Sequence, residues 1–240
     1  MDSKVIPFTE RSPALTKDRI LDAAEALFMA QGFEATSLRE LTTAASVNLA
    51  AVNYHFGSKE ELFETVLRRR LDPMNQARLD LLTHFERESA PGPASCEKIL
   101  TALFVPALRL ARDPARGGSN FLRLLGRAYA DPAPFIRQFL SDQYAAMIAR
   151  FKAAFGRALP SLPPRELSWR LHFMMGALSY TLAGTDALRM IEELAPGEGA
   201  NDELLLRRLA PFLLGGLTAP LPELSEVTRA LERDGPHARS

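Results

Sequence analysis

Two short helix-forming segments lie close together near the N terminus, with only two or three residues between them. Ser37 with Glu40 makes a capping box at the start of the first segment, whose apolar positions follow a helical repeat. Asn48 is a suitable N-cap for the second segment, which is predicted over about 49–56 and which Gly57 ends. Because so short a connection is typical of a helix-turn-helix, this spacing constrains the fold more than any other feature.

A longer helix is predicted before this pair. Thr16 is its expected N-cap, apolar residues recur at helical spacing up to about Gln31, and Gly32 stands where helices commonly end. Residues 1–15, which contain two prolines and two basic residues, are interpreted as a mobile arm.

A second long helix is predicted after the pair. Ser58 with Glu61 makes another capping box, and Pro73 is expected to bend or interrupt the helix that follows. Beyond it, clusters of proline, glycine and polar residues separate five segments with helical apolar spacing, near 96–112, 119–130, 135–158, 165–194 and 202–217.

No stretch shows the sustained alternation of a strand, so the predicted fold class is all-α. The expected organisation begins with the arm at 1–15 and a helix-turn-helix domain at 16–60. A larger helical body is expected at 61–220, followed by a frayed tail at 221–240.

Composition narrows the function classes. Of the 240 residues, 47% are hydrophobic and 24% are charged, which is ordinary for a soluble globular protein. The single cysteine, Cys96, excludes an internal disulfide framework and fits a reducing cytoplasm. Neither a signal peptide nor an apolar stretch long enough for a bilayer is visible, so a cytoplasmic protein without a membrane partner is expected.

Charge is balanced along the chain. The formal net charge is zero, and residues 1–70 carry nine Lys or Arg against ten Asp or Glu. This balance argues against a generally basic nucleic-acid coat, so any contact with nucleic acid must depend on where the charges lie.

The second helix of the pair has side chains suited to reading DNA. A helix that enters the major groove needs small or hydrogen-bonding leading positions, and residues 49–51 supply a low profile. Asn53 offers an amide for a base edge or a phosphate, while Tyr54 and His55 can each donate a hydrogen bond to a phosphate oxygen. Phe56 is better explained as a core aromatic.

Lys59 lies in the first turn of the following helix, where a cation opposes the helix dipole at a cost of roughly a few tenths of a kcal/mol. A phosphate held there by backbone N–H groups and the ammonium together would remove the mismatch. Taken singly, His55 and Lys59 are better explained as ordinary solvated side chains. Their order and spacing behind a helix-turn-helix favour the DNA interpretation.

The span 16–63, with "RILDAAEALFMAQGFEATSLRELTTAASVNLAAVNYHFGSKEELF", closely resembles the DNA-binding region of the tetracycline-repressor (TetR) family of bacterial transcriptional regulators. The resemblance covers about a fifth of the chain and implies a double-stranded DNA operator as partner. It implies that Tyr54, His55 and Lys59 contact phosphates and that Ser37 and Arg39 contact the groove or the DNA backbone. The predicted DNA-binding residues are Ser37, Arg39, Asn48, Leu49, Ala50, Ala51, Asn53, Tyr54, His55 and Lys59.

Ser46 departs from the family pattern, which usually has glycine in the turn between the two helices. Serine at this position costs some strain if the backbone there is left-handed.

A DNA-binding unit this small gains specificity by pairing, because two copies related by a two-fold axis read a palindrome in successive major grooves. Residues 204–217 are apolar nearly all round, and Gly176, Ser179 and Ala183 give one side of the preceding helix a small profile. Internal core is the alternative explanation for both segments. The resemblance also places dimerisation in the last two long helices, so a homodimer is predicted.

The middle of the chain is rich in adaptable apolar side chains. In an arbitrary protein such a stripe is more often plain core than a ligand pocket, but the resemblance implies a small-molecule pocket between these helices. Arg123 and Arg127 are better explained as a solvated helix face than as partners of an anionic head group. The predicted lining residues are Phe104, Leu122, Leu125, Tyr129, Phe139, Tyr144, Met147, Phe151, Phe173 and Met174.

The segment "RELSWRLHFMMGAL", residues 165–178, resembles a branch of the family associated with fatty-acid or acyl-thioester sensing. Together with the Phe and Met content, it predicts an elongated apolar effector, with or without an acidic end, whose binding releases DNA. No cofactor is expected.

Two other function classes are less favoured. The four histidines are scattered without metal-ligand spacing and no glycine-rich phosphate loop is present, which argues against an enzyme. A protein-binding adaptor without DNA affinity predicts no salt dependence in a DNA-shift assay. The expected function is a ligand-responsive transcriptional regulator, a repressor in the family's usual mode, that binds a palindromic operator as a homodimer.

Overall fold

The computed structural model describes residues 13–113, 118–130, 133–182 and 202–221. These residues form α-helices and contain no strand, so the predicted all-α class is confirmed. In chain order the helices are α1 (Pro13–Gln31), α2 (Leu38–Ala45), α3 (Leu49–Phe56), α4 (Lys59–Ser89), α5 (Cys96–Ala111), α6 (Gly118–Ala130), α7 (Pro134–Ala158), α8 (Pro164–Leu182) and α9 (Asp202–Thr218).

The predicted helix-turn-helix pair is present as α2 and α3, with Ser37 and Asn48 as N-caps. Helix α1 begins earlier than predicted, at Pro13, so Thr16 lies inside the helix and does not cap it. Proline suits the first helical turn because its fixed φ angle is helical and its missing N–H has no partner to lose there. Residues 1–12, most of the predicted arm, lie outside the described residues.

Helix α4 runs through Pro73 as one element of 31 residues, so of the predicted bend or interruption the interruption does not occur. Proline inside a helix costs about 3 kcal/mol. Burial along the same helix outweighs that cost, because each large apolar side chain taken out of water stabilises the fold by about 1.5–3 kcal/mol. The apolar side chains that α4 buries are Leu62, Phe63, Val66, Leu67, Leu71, Met74 and Leu82.

The start of α4 also differs in detail from the prediction. Ser58 Oγ accepts a hydrogen bond from the Glu61 N–H at 3.0 Å, as a cap should. The Ser58 N–H donates to the Phe56 carbonyl at 2.9 Å instead of to Glu61, so only half of the predicted capping box forms.

The later helices lie where the apolar spacing predicts them. Helices α5, α6, α7 and α9 begin and end within one residue of the predicted bounds. Helix α8 begins at Pro164 and is described to Leu182, while residues 183–201 and most of the predicted tail, 222–240, lie outside the described residues. Across the part of the chain that the structure describes, no helix has both the length and the apolar character that a bilayer span needs.

Phenylalanine rings join the N-terminal head, defined here as α1–α3, to the rest of the molecule. Phe28 of α1 meets Phe63 of α4 edge to face, with ring centroids 4.9 Å apart. Phe33, in the loop between α1 and α2, contacts Phe63 at 5.1 Å and Phe135 of α7 at 4.8 Å. Such aromatic pairs add about 0.5–1.5 kcal/mol each beyond their buried area, so the head is held firmly against the body.

A buried ionic cluster also fastens α1 to α4. The Glu25 side chain is only 4% exposed, and its Oε1 accepts from Arg70 Nε at 2.6 Å. Its Oε2 accepts from Arg70 Nη2 at 3.1 Å and from Arg69 Nη1 at 3.2 Å. Arg69 also contacts Asp22 at 2.5 Å. Because both carboxylate oxygens of Glu25 are engaged, the cluster fixes how α4 lies against α1.

The body, defined here as α5–α9 with the C-terminal part of α4, is a helical bundle. Helix α5 packs along α4, α6 packs on α8, and α9 packs against α5 and α8. Buried Arg170 of α8 donates to the carbonyls of Leu217, Ala219 and Pro220 at 2.7–3.0 Å. A guanidinium at these carbonyls satisfies the C-terminal end of α9, which would otherwise lack donors.

Helix α7 is tied to α4 at two levels. Near the head, the Tyr144 hydroxyl donates to Asp72 at 3.0 Å and Arg68 donates to Gln143. Further along, Glu86 accepts from Arg150 at 2.7 Å and also pairs with a second arginine of α7. The hydrogen bond from Arg150 is the main cause that holds the pKa of Glu86 below its ordinary value.

We predict that Glu25→Gln lowers the free energy of unfolding by about 3 kcal/mol, because breaking a buried ion pair leaves a desolvated arginine without its counter-charge. Urea denaturation followed by circular dichroism measures the change.

Asp22→Asn is the matched control, since it removes a carboxylate from the same cluster at a side chain that is 63% exposed. It is expected to cost less than about 1 kcal/mol. Equal losses for the two variants would contradict the structural role assigned to Glu25.

Candidate nucleic-acid interface and cavity

The turn between α2 and α3 contains a strained residue. Ser46 has φ 51° and ψ 51°, and it is the one non-glycine residue with positive φ among the described residues. The left-handed backbone expected for serine here is therefore present. The Ser46 N–H donates to the carbonyls of Thr42 and Thr43, which ends α2, and Val47 N–H donates to Thr42 at 3.0 Å.

Arg19 of α1 supports this turn. Its guanidinium donates to the carbonyl oxygens of Ala45 and Ser46, the second at 2.9 Å. Carbonyl groups at the C-terminal end of a helix have no intrahelical donors, and a cation there also interacts favourably with the negative end of the helix dipole. Arg19 therefore helps to hold the strained turn and, through it, the angle between α2 and α3.

Helix α3 has a buried face and an exposed face. Val52 is fully buried and Phe56 is 5% exposed, so the interpretation of Phe56 as a core aromatic is confirmed. On the other face, Tyr54 is 82% exposed and Leu49 is 48% exposed. Ala50 and Asn53 are also exposed, and Ala51 is half-buried. The exposed face has small or apolar side chains at the start of the helix and polar side chains towards its end.

Two of the predicted contact residues also stabilise helix starts. Asn48 Oδ1 accepts from the Ala51 N–H at 2.8 Å. The Ser37 hydroxyl donates to Glu40 Oε2 at 2.8 Å, and Ser37 Oγ accepts from the Glu40 N–H at 3.1 Å. The Ser37 backbone N–H, which donates to the Glu40 carboxylate, is the main cause that lowers the pKa of Glu40. Arg39 lies next to this cap and is exposed.

Tyr54 and His55 lie together at the end of α3. Their ring centroids are 5.1 Å apart with planes at 77°, and the His55 ring also lies 6.3 Å from the Phe56 ring. His55 is half-buried, whereas Tyr54 extends into solvent. The pair presents two polar groups beside each other at one edge of the exposed face.

Lys59 has a partner that the sequence does not reveal. Its ammonium lies 4.2 Å from the centroid of the Phe33 ring, and the residue is half-buried. A cation–π contact of this kind stabilises by about 0.5–1 kcal/mol, which is enough to offset the unfavourable dipole position. A phosphate is therefore not required to explain a lysine in the first turn of α4. Phe33 precedes α2 in the chain, so only the tertiary fold brings it to Lys59.

The body encloses a cavity of about 340 Å³ between α4, α5, α6, α7 and α8. The predicted lining residues that surround it are Phe104, Leu122, Leu125, Tyr144, Met147, Phe151 and Met174. The side chain of Tyr129 lies outside the described residues. Further apolar lining comes from Leu103, Leu140, Ile148, Phe155, Leu171, Met175 and Leu178.

Two predicted lining residues are wrong. Phe139 is buried, but its ring lies under the Arg68 guanidinium at 4.8 Å and does not reach the cavity. Phe173 is 64% exposed and stacks on Trp169 with centroids 5.9 Å apart. Successive residues of a helix point about 100° apart, so Phe173 faces outward while Met174 lines the cavity. The apolar content of the sequence does not distinguish these two faces.

Two charged residues of the cavity wall were not predicted from the sequence. Arg78 of α4 is 6% exposed and lines the cavity, and Lys152 of α7 lines it as well. The arginine considered from the sequence, Arg123, is exposed and donates to Asn120 at 3.3 Å, as a solvated helix face would. The side chain of Arg127 lies outside the described residues. The sequence does not single out Arg78, because α4 also contains Arg68, Arg69, Arg70 and Arg87, none of which lines the cavity.

An apolar surface is exposed on α8 and α9. Trp169 is 50% exposed and Phe212 is 70% exposed, beside the outward-facing Phe173. A Cβ atom added at Gly176 or Gly216 would meet no other atom within 4 Å, so both glycines open onto free space. Large exposed aromatics around glycines form a surface that another helix can approach closely. Ala183, in the predicted small-residue side, lies outside the described residues.

The described residues thus combine a helix-turn-helix, whose second helix has an exposed face, with a helical body that contains a cavity. The chain matches the family model "Bacterial regulatory proteins, tetR family" over residues 20–66. It also matches "Tetracyclin repressor-like, C-terminal domain" over residues 101–216. The chain therefore belongs to the TetR family, as its resemblance implied.

Individual relatives agree with this assignment. The repressor KstR2 of Mycolicibacterium smegmatis is 36% identical over 66 residues, which are 28% of this chain and 32% of that protein. The chain thus matches about a third of the length of this relative. The repressor BepR of Brucella suis is 28% identical over 61% of this chain and 69% of its own length. The solved fatty acid degradation regulator FadR of Bacillus halodurans has the same fold, with TM-score 0.56 and 15% identity over 88% of this chain and 99% of that one.

We predict that Ser46→Gly raises the free energy of unfolding by about 1 kcal/mol, because glycine adopts the left-handed backbone without the steric cost that serine bears. Thermal denaturation at neutral pH measures the shift.

Ala44→Gly is the control, since Ala44 is exposed inside α2 and has no left-handed backbone to relieve. That variant should lose about 1 kcal/mol. Destabilisation by both substitutions would show that Ser46 is not strained in solution.

Proposed function

We propose that the protein is a ligand-responsive repressor that binds a palindromic operator as a homodimer and is released by a small apolar effector. The observation that supports this proposal is the exposed face of α3. That face carries Leu49, Ala50, Asn53 and Tyr54, while Val52 and Phe56 anchor the opposite face in the core. A rigid helix that has small side chains at its N-terminal end and hydrogen-bonding side chains after them suits the major groove.

The proposed contacts divide by chemistry. Leu49, Ala50 and Ala51 approach the base edges, and Asn53 supplies an amide that can bond to a base or a phosphate. Tyr54, His55 and Lys59 contact phosphates, and Arg39 contacts the groove or the DNA backbone. Ser37 and Asn48 act mainly by holding the starts of α2 and α3 in place, since their side chains already cap these helices.

Lys59 fits this role although Phe33 explains its position. The ring holds the ammonium near the start of α4, where the N–H groups of the first turn also favour an anion. A cation whose position is already fixed loses little conformational freedom when it meets a phosphate.

Homodimerisation is proposed through α8 and α9. Trp169, Phe173 and Phe212 form an exposed aromatic surface, and Gly176 and Gly216 allow a second helix to approach. Covering such aromatic side chains on association removes apolar surface from water, which drives the pairing. Pairing relates the α3 helices of the two protomers by a two-fold axis, as a palindrome requires.

Effector release is proposed to act through α4. The cavity-lining Tyr144 donates to Asp72 of α4, and the Arg69–Arg70 pair of the same helix holds Glu25 of α1. An effector that binds more tightly to a conformation with altered α7 and α4 shifts the protein away from the spacing that matches DNA. Equal affinity for both conformations would shift nothing.

We predict that Lys59→Ala weakens operator binding and reduces the slope of log K against log salt by about one unit per protomer, because each lost phosphate contact releases one counterion fewer. Fluorescence anisotropy across a salt series, on an operator selected from random DNA, measures the slope.

Lys98→Ala is the matched control. Lys98 also lies beside a ring, 5.8 Å from the Phe85 centroid, but it belongs to α5 of the body. Its loss should leave the salt slope unchanged. If Lys59→Ala and His55→Ala both leave operator binding intact, a protein-binding adaptor replaces the DNA-binding proposal.

A further inference from the structure

The cavity wall carries a fixed positive charge. Arg78 lines the cavity at the junction of α4 and α5 and is 6% exposed. Its Nε donates to the Leu103 carbonyl at 2.9 Å, and its Nη1 donates to the Asn75 side-chain oxygen at 2.8 Å. Bonds to two different helices fix the guanidinium plane, so the charge has a set position against the cavity.

Among the described residues, the charged side chains that line the cavity are all positive. Of the described residues that line it, only Arg78 and Lys152 are charged, and none is acidic. Lys152, Ile148 and Ser141 lie along α7 with exposed side chains and mark the open side of the cavity. Arg78, by contrast, is buried, as is the lining residue Leu122, so Arg78 lies on the inner side of the cavity. An entering ligand therefore meets an apolar interior with a cation at its inner wall.

We propose that the effector is an aliphatic carboxylate, such as a medium-chain fatty acid, whose carboxylate binds Arg78. This inference rests on the effector-release function proposed above. The planar guanidinium matches a carboxylate, and a charge-assisted bond inside the cavity offsets the cost of removing the anion from water. The tail lies against Phe104, Leu125 and Met174, whose flexible or aromatic side chains adapt to an alkyl chain.

Cavity size favours the free acid over a thioester. A volume of about 340 Å³ lies at the small end of the range for drug-sized ligands. A nucleotide carrier would have to remain outside the cavity, and the thioester carbonyl would offer Arg78 no full negative charge.

Isothermal titration of the full-length protein with decanoate, decanol and decanoyl-coenzyme A tests the ligand class. Decanoate should bind at least about tenfold more tightly than decanol, as expected for a charge-assisted hydrogen bond, and more tightly than the thioester. Equal affinity for acid and alcohol, or tighter binding of the thioester, would overturn the proposal.

Two variants locate the carboxylate. Arg78→Met should lower decanoate affinity about tenfold and change decanol affinity by less than about twofold. Lys152→Ala, at the open side, should leave the preference for the acid unchanged. If Lys152→Ala abolishes that preference, the head group lies at the mouth and the assignment to Arg78 is wrong. The preference of Lys152→Ala for acid over alcohol still tests the assignment to Arg78 if Arg78→Met does not fold.

Measuring release from the operator tests the carboxylate effector separately from the DNA-binding function on which this inference rests. Decanoate should release the unsubstituted protein from its operator at a concentration that leaves Arg78→Met bound. Salt-dependent operator binding without any preference for the acid would refute the carboxylate effector and leave the DNA-binding function standing. Failure of the unsubstituted protein to bind any selected DNA would refute the regulator itself.

Discussion

The buried contact between Glu25 of α1 and Arg70 of α4 sets the relation between the two functional parts of this protein. Both oxygens of the carboxylate are engaged, and the side chain is almost fully removed from water. Because a half-broken pair at such depth is costly, α4 cannot slide along α1 by small steps without losing the contact. A displacement of α4 along α1 would therefore break the Glu25–Arg70 contact.

Helix α4 connects the head to the body. Its first turns bury Leu62 and Phe63 in the head, and its later turns carry Arg78 to the cavity wall. Between them, Asp72 accepts from the cavity-lining Tyr144. One continuous helix thus contacts the proposed effector site and the recognition unit, and this continuity survives Pro73 because so many of its side chains are buried.

At two places near the head, a locally unfavourable residue is stabilised by a contact with another part of the chain. Ser46 holds a left-handed turn that glycine would adopt more easily, and Arg19 binds the adjoining carbonyls from α1. Lys59 occupies an unfavourable end of α4, and Phe33 offsets that cost. In both places a residue that local preference disfavours is stabilised by one that lies distant in the chain, so these positions are explained only by the assembled head.

Local sequence determined the helices, the caps at Ser37 and Asn48, and the helix-turn-helix, because hydrogen bonds within a few residues and the apolar repeat decide them. It also separated the buried Phe56 from the exposed end of α3. Only the tertiary structure decided that Phe173 faces solvent, that Phe139 lies under Arg68, and that Arg78 borders a cavity. Which side of an apolar helix meets a cavity, the core or water depends on the helices packed around it, and residues far apart in the chain supply those neighbours.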